Sequence, residues 1–448
     1  MRGRTCVAAL GLASALVLGG CGILGAPSGQ AIPAQDITFW LIKGDTPASL
    51  RSYLIDQYGR VNGGTLTIKE QSRDDILDKL AAMLPDEAGT PDVTEIGNVW
   101  SSTLTNAGAL ADISDMYTAL GGDKLVQSFV EAGKVDGKNY ALPYYFSSRY
   151  MFYRKDVWAA AGVAAPPRTL ADFNQAVATI TEKNPDSIAD FSGFLIGGQD
   201  WRNEVSWIFA NGGELATKDT DGKWTSTLSS PGAIEGLAQL QEIQQKASMA
   251  PSTVKDQSPW LYINDTDSLI DDSGIVTGST SLAAATIMAP GWARWSIGGL
   301  TKDPVTKKDI RTWDDEIFGV FPLPGNDGKP APVFVDGSTV GISAASRNQA
   351  GARQLLEIIF SPEYQIMLGQ NGLGPANSDY MSSLGTDEFA RALIDSASNS
   401  RLTPAAPGWA RVEASGKLEE FFQKVADGGD IISLAKEYDD LITPMLNR

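Results

Sequence analysis

Six residues recur in this 448-residue chain: Ala289-Pro290-Gly291-Trp292-Ala293-Arg294, and again Ala406-Pro407-Gly408-Trp409-Ala410-Arg411. Pro-Gly marks a turn, and turns lie on the surface. Each copy therefore sets the largest apolar side chain just past an exposed bend. A flat ring held by a rigid turn can stack on a ligand instead of filling a core. Covalent chemistry is less well provided for. The chain has no histidine, which removes the commonest general base and metal ligand and excludes Ser-His-Asp and Cys-His arrangements. Its two cysteines, Cys6 and Cys21, supply neither a disulfide framework nor a thiolate zinc site. The acidic turn Asn264-Asp265-Thr266-Asp267, with Asp271-Asp272 beyond it, lacks the full calcium-loop pattern. No catalytic residue, metal or cofactor is expected.

Around these residues the composition describes a globular chain. Apolar residues make up 43% and mean hydropathy is −0.12, which suits a full core. The formal charge of −18 argues against nucleic acid and against a basic membrane-binding face. Arg2 and Arg4 precede an apolar run, Cys6–Leu18, too short to span a bilayer. Leu18-Gly19-Gly20-Cys21 follows, and it resembles the lipobox of bacterial lipoproteins. The expectation is a signal peptide over 1–20, lipidation of Cys21 and a flexible Gly/Pro/Ser-rich tether over 21–35. An ordinary secretory signal is the alternative.

The elements that must position the turns read as α/β. Asp36–Ile42 and Gly64–Glu70 have strand patterns, and between them Leu50, Tyr53, Leu54 and Tyr58 fall at helical spacing. A helix capped by Ser72 buries Ile76, Leu77, Leu80 and Leu84, and PDVTEIG (91–97) is a further strand. This alternation predicts a parallel sheet. Further on, helices are expected from Thr169, from Ser230-Pro231 and from Ser361-Pro362. GQDWRNEVSW (198–207) reads as a polar loop. A final pair of helices covers 412–428 and 430–442.

The segment Asp136–Phe173 is the most specific: DGKNYALP, then FYRKD, then AGVAAPPRTLADF. It resembles the extracellular solute-binding proteins (family 1) of ABC sugar importers, the group that includes maltose-binding protein. FWLIKGD at 39–45, PDVTEIGNVW at 91–100, VDGSTVGIS at 335–343 and SPEYQIMLGQNGLGPANS at 361–378 agree in order. The resemblance spans about 36–446. It implies an α/β, two-lobed periplasmic-binding-protein-like fold (type II), with a ligand cleft between lobes joined by crossover segments. The N-lobe would comprise 36–144 plus 340–377 and the C-lobe 146–334 plus 380–448. It implies also a monomer, held to the membrane only by lipid, that closes on a carbohydrate and delivers it to an ABC transporter permease.

A sugar ring offers an apolar C–H face and an edge of hydroxyls, so its site needs flat rings and polar partners. The resemblance points to Trp100, Trp292 and Trp409 as stacking rings, with Trp201 in a ligand-contacting loop. Lys43 and Asp45 match a loop that bonds sugar hydroxyls. Gln71 and Asn98 end strands, while Tyr145, Ser147 and Asp336 lie on crossovers. Arg411 follows Trp409, and Arg149 is expected to pair with an acidic neighbour. Trp40, Trp158 and Trp207 are expected in the core. An exported glycoside hydrolase using a carboxylate pair is the competing function, though no acidic residue stands in a context suggesting that role.

Overall fold

The computed structural model describes residues 33–448 apart from 256–258, 265–268, 271–275, 279–282, 303, 305–306, 308, 398–399 and 448. Cys21, the signal segment and most of the tether lie outside the described residues, as does the acidic turn beyond Asn264. Strand and helix alternate as expected through β1 (Ile37–Ile42), α1 (Ala48–Asn62), β2 (Leu66–Gln71), α2 (Arg73–Met83) and β3 (Val93–Gly97). β1 pairs in parallel with β2 and with β3. Leu50, Leu54 and Tyr58 bury one face of α1, and Gly63 ends it in the left-handed region at φ 79°, where a side chain would be strained. α3 (Asn98–Asn106) leaves β3 without a loop.

The organising element is β4 (Ala141–Arg154), fourteen residues long and buried throughout. β5 (Thr286–Pro290), β6 (Phe318–Phe321), β7 (Val335–Ile342) and β8 (Gly374–Pro375) all pair with it antiparallel. β7 takes Ala141–Ser148, β8 takes Tyr145–Phe146, and β5 and β6 take residues from Arg149 onward. One eight-stranded sheet results, with β5, β4, β7, β3, β1 and β2 in order along its path. β4 thus carries the sheet from one lobe into the other.

Each lobe has its own core. Phe39, Leu54, Val93, Val340 and Leu355 belong to the first, and Trp158, Phe173, Trp207, Leu237 and Phe421 to the second. Phe129, Phe146, Tyr150, Val335 and Leu393 pack together along the crossover strands. Trp40, Trp158 and Trp207 are core residues, as expected. α4 (Leu170–Lys183) starts on Thr169, whose hydroxyl accepts from the Asp172 backbone N–H, and it buries Leu170, Phe173, Val177 and Ile180.

Three local expectations need correction. Ser72 and Ser230 make no side-chain cap; their main-chain carbonyls accept the first helical bonds instead, from Ile76 and Ile234. Residues 201–210 form a helix, α5 (Trp201–Ala210), with eight of its ten residues buried. Burial overrode the polar composition there, because Asn203, Glu204 and Ser206 lie inside the lobe. The C-terminal helices are three: α9 (Trp409–Ala414) and α10 (Lys417–Ala426) are separated at Gly416, φ 66°, before α11 (Ile431–Leu446). Among the described residues no helix is long and apolar enough to cross a membrane.

Candidate functional site

The crossover strands form the floor where the lobes meet. Asp336 pairs with Ser147 across β7 and β4, and its carboxylate lies 2.9 Å from Arg149 Nε. Arg149 also donates to Asn203 Oδ1 at 2.9 Å, and Asn203 Nδ2 donates to Asp200 Oδ2 at 2.6 Å. This chain ties the start of α5 to both crossovers, and Arg149 has the acidic partner that was expected. Asn98 Nδ2 donates to the Val335 carbonyl at 2.7 Å, so it anchors α3 to a crossover.

Asp45, Arg73, Glu95, Tyr145 and Ser338 make a second polar cluster on the N-lobe side. Asp45 accepts from Arg73 at 2.5 Å and from the Tyr145 hydroxyl at 3.0 Å. Glu95, fully buried within β3, accepts from the Ile42 backbone N–H at 2.8 Å and the Ser338 hydroxyl at 2.5 Å. Burial first, and the neighbouring Asp45 second, push the Glu95 carboxyl up to about 8, against the opposing pull of Ser338, Ile42 and Arg73. A carboxyl whose folded pKa lies above its unfolded one stabilises fully below the unfolded pKa and loses that contribution as pH rises through the folded value. Glu95→Gln keeps an acceptor for Ile42 but cannot ionise. Its stability relative to the parent, followed by thermal denaturation, should therefore rise between pH 5 and 8; a flat difference would contradict the assignment. The sequence did carry a signal for Glu95, as the one charge within the all-buried run Val93–Gly97.

The lobes touch through α3 and α9. Thr103 Oγ1 donates to the Pro407 carbonyl at 3.1 Å, and Trp100 lies close enough to the Glu413 carboxyl to favour its ionised form. Glu413 also pairs with Arg202, whose guanidinium lies 4.6 Å from the Trp201 ring centroid. Burial holds the Glu413 carboxyl above its usual range; Arg202 opposes this and Glu419 adds to it. Arg202, Glu413, Arg73 and Glu95 escaped the sequence reading, although Arg202 directly follows Trp201 and Glu413 lies one helical turn past Trp409.

The expected rings separate into two kinds. Trp100 is half-buried against the C-lobe core. Trp292 is 49% exposed on a short 3-10 turn, Gly291–Ser296, that follows β5. Pro290 opposes Arg149, so this turn begins where β4 passes between lobes. Trp409 and Trp201 are each 1% exposed and meet edge to face at 6.3 Å. That corrects the expectation that the second Pro-Gly turn opens its ring. Gly408 N–H is held by the Leu446 carbonyl at 3.1 Å and Pro407 by Thr103, so elements on both sides cover the turn. Arg411 sits on a solvated helix face. It is exposed and lines a cavity of about 470 Å³ with Leu77, Ala81, Leu104 and Ala345, behind α9. Lys43 is exposed after β1, with its backbone N–H bonded to the Gln71 carbonyl at 2.8 Å. Gln71 Oε1 accepts from Lys79 at 3.2 Å.

Two lobes sharing a sheet, with rings and paired charges where they meet, define a protein that captures a solute. The chain matches the bacterial extracellular solute-binding protein family over residues 53–392. It is 27% identical over 445 residues, 97% of each chain, to the diacetylchitobiose binding protein DasA of Streptomyces coelicolor. The sugar-binding protein MalE of Xanthomonas citri superposes with a TM-score of 0.72 at 19% identity, covering 92% of this chain and 97% of that one. UgpB of Mycobacterium tuberculosis, solved with glycerophosphocholine, gives 0.69 at 20%, covering 92% and 98%. The chain belongs to the bacterial extracellular solute-binding protein family, and its fold is the two-lobed fold of MalE. The family is one of solute-binding proteins and not of enzymes, so the hydrolase reading is set aside.

Proposed function

We propose that the mature chain is a lipid-anchored receptor that captures a neutral sugar, an oligosaccharide, between its lobes and hands it to an ABC transporter permease. The lobes in this reading are 36–144 plus 340–377 and 146–334 plus 380–448. Lipid on Cys21 and the tether over 21–35 hold it, as a monomer, on the outer face of the membrane. The observation that carries the reading is Trp292: an indole left half-open at the lobe boundary, within a site whose other members can bond hydroxyls. Full-length similarity to a protein named for diacetylchitobiose supports a saccharide over other solutes. Trp100, Asp45, Tyr145, Ser147, Asp336 and Asn98 would line the closed site, with Lys43 and Gln71 at its N-lobe edge. Closure is then a population shift that a ligand favours by touching both lobes.

A thermal-shift screen tests this reading with diacetylchitobiose, maltodextrins and glycerophosphocholine. A saccharide at 100 times its Kd should add ~2.7 kcal/mol of stability. A shift with glycerophosphocholine and with no saccharide would replace the sugar by a phosphodiester. The anchor is tested separately. Cys21→Ser should move the protein from the membrane fraction to the medium or periplasm, and an unchanged distribution would leave only an ordinary secretory signal.

A further inference from the structure

Tyr144 and Tyr145 are neighbours on β4, where the pleat should send their side chains to opposite faces of the sheet. The ladder is irregular at that point. Ser338 opposes Tyr145, and the next residue of β7, Thr339, opposes Pro143, which leaves Tyr144 without a partner on β7. Such a bulge re-aims a side chain. The two rings accordingly meet edge to face, 5.4 Å apart, in place of pointing away from each other.

Both hydroxyls reach the turn between β1 and α1. Tyr145 donates to Asp45 Oδ2 at 3.0 Å, and the Tyr144 hydroxyl shares a 3.1 Å hydrogen bond with Thr46 Oγ1. Tyr144 is bonded in turn to the Tyr364 hydroxyl at 2.6 Å, with the two rings stacked at 6.2 Å and 13°. Tyr364 stands in the first turn of α8 (Pro362–Gln370), where its backbone N–H donates to Ser361 Oγ. Tyr144, Tyr364 and Thr46 are all buried, and burial pushes both phenols above the usual tyrosine range, so they keep their protons. Arg51 holds the turn from its other side by donating to the Thr46 carbonyl at 2.7 Å. A chain of three hydroxyls thus runs from α8, through the bulge, to the residue beside Asp45. Apolar packing needs no hydroxyl at any of the three positions. Each is costly to bury without a partner, which commits the three to one another.

We propose that Tyr144 and Tyr364 are positioning residues for solute capture: acting through Thr46, they hold the Lys43–Thr46 turn against the crossover strand, so that Lys43 and Asp45 meet the solute in a fixed geometry. Being fully buried, neither tyrosine touches the solute. The inference rests on the reading above, in which that turn borders the site.

Two measurements on the full mature chain test it, with Tyr364→Phe, Thr46→Val and Thr46→Ser. Tyr53→Phe is the control, since its ring packs 6.0 Å from Tyr364 outside the hydroxyl chain. The first measurement is amide hydrogen exchange of the unliganded protein. The Asp45 N–H, bonded to the Ile42 carbonyl, should exchange about tenfold faster in Tyr364→Phe and Thr46→Val, while the β1 amides keep the parent rate. The second is isothermal titration with diacetylchitobiose and with maltotriose. Affinity should fall about fivefold in each of those two variants, the factor for one hydrogen bond. Combining them should cost no more than the worse alone, because both break one chain. Thr46→Ser, which keeps the hydroxyl, and Tyr53→Phe should match the parent in both measurements. Unchanged exchange at Asp45, or β1 amides accelerated as much as Asp45, overturns the clamp. Faster exchange at Asp45 with unaltered affinity overturns its part in capture. If neither saccharide binds the parent, the sugar reading fails by itself, and the exchange result still upholds or overturns the clamp.

Discussion

Trp409→Ala is expected to lower the stability of the unliganded protein by about 3–5 kcal/mol, the range for emptying a buried aromatic site. Urea denaturation is the measurement. Trp409 is 1% exposed in the C-lobe core, against Trp201 and near the Val412 and Ala406 side of α9. Leu446 and Thr103 hold the turn before it from two sides, so the lobe cannot collapse cheaply into the space. A change below about 1 kcal/mol, the size of an ordinary surface substitution, would show that the ring is not core.

Trp292→Ala should do the opposite. An indole half in solvent and touching one neighbouring tryptophan contributes little to folding, so stability should move by no more than about 0.5 kcal/mol. Saccharide affinity should fall by about 30-fold or more, near 2 kcal/mol, as truncation of an aromatic anchor in a binding site does. Titration and denaturation on one sample separate the two effects. Large destabilisation with unaltered affinity would place Trp292 among structural residues and withdraw the main support for a sugar. The two predictions concern identical hexapeptides and point in opposite directions.

That contrast marks the limit of what could be read from sequence. Local pattern was enough for β1 to β3 and for α4, because one apolar face per element dictates period and direction, and Thr169 announces its own cap. It was enough to find both Pro-Gly turns. It could not tell that one turn is open and the other sealed, since the seal comes from Leu446 and Thr103, far away in the chain. α5 was misread for a related reason. Some of its polar residues find partners inside the lobe, as when Gln244 donates to Glu204 at 2.6 Å, and no local rule foresees such a partner. The charged members of the site were missed because they function as pairs. Arg202 with Glu413 and Arg73 with Asp45 join segments 211 and 28 residues apart, a proximity that composition does not encode.

Because a single fourteen-residue strand belongs to both lobes and is hydrogen-bonded to neighbours along its whole length, the lobes are not beads on a string. They share a ribbon, and any relative motion of the lobes must deform it. A half-molecule cut from this chain would carry a raw sheet margin, which invites aggregation. The two lobes are therefore not divisible into separate folding units along this strand.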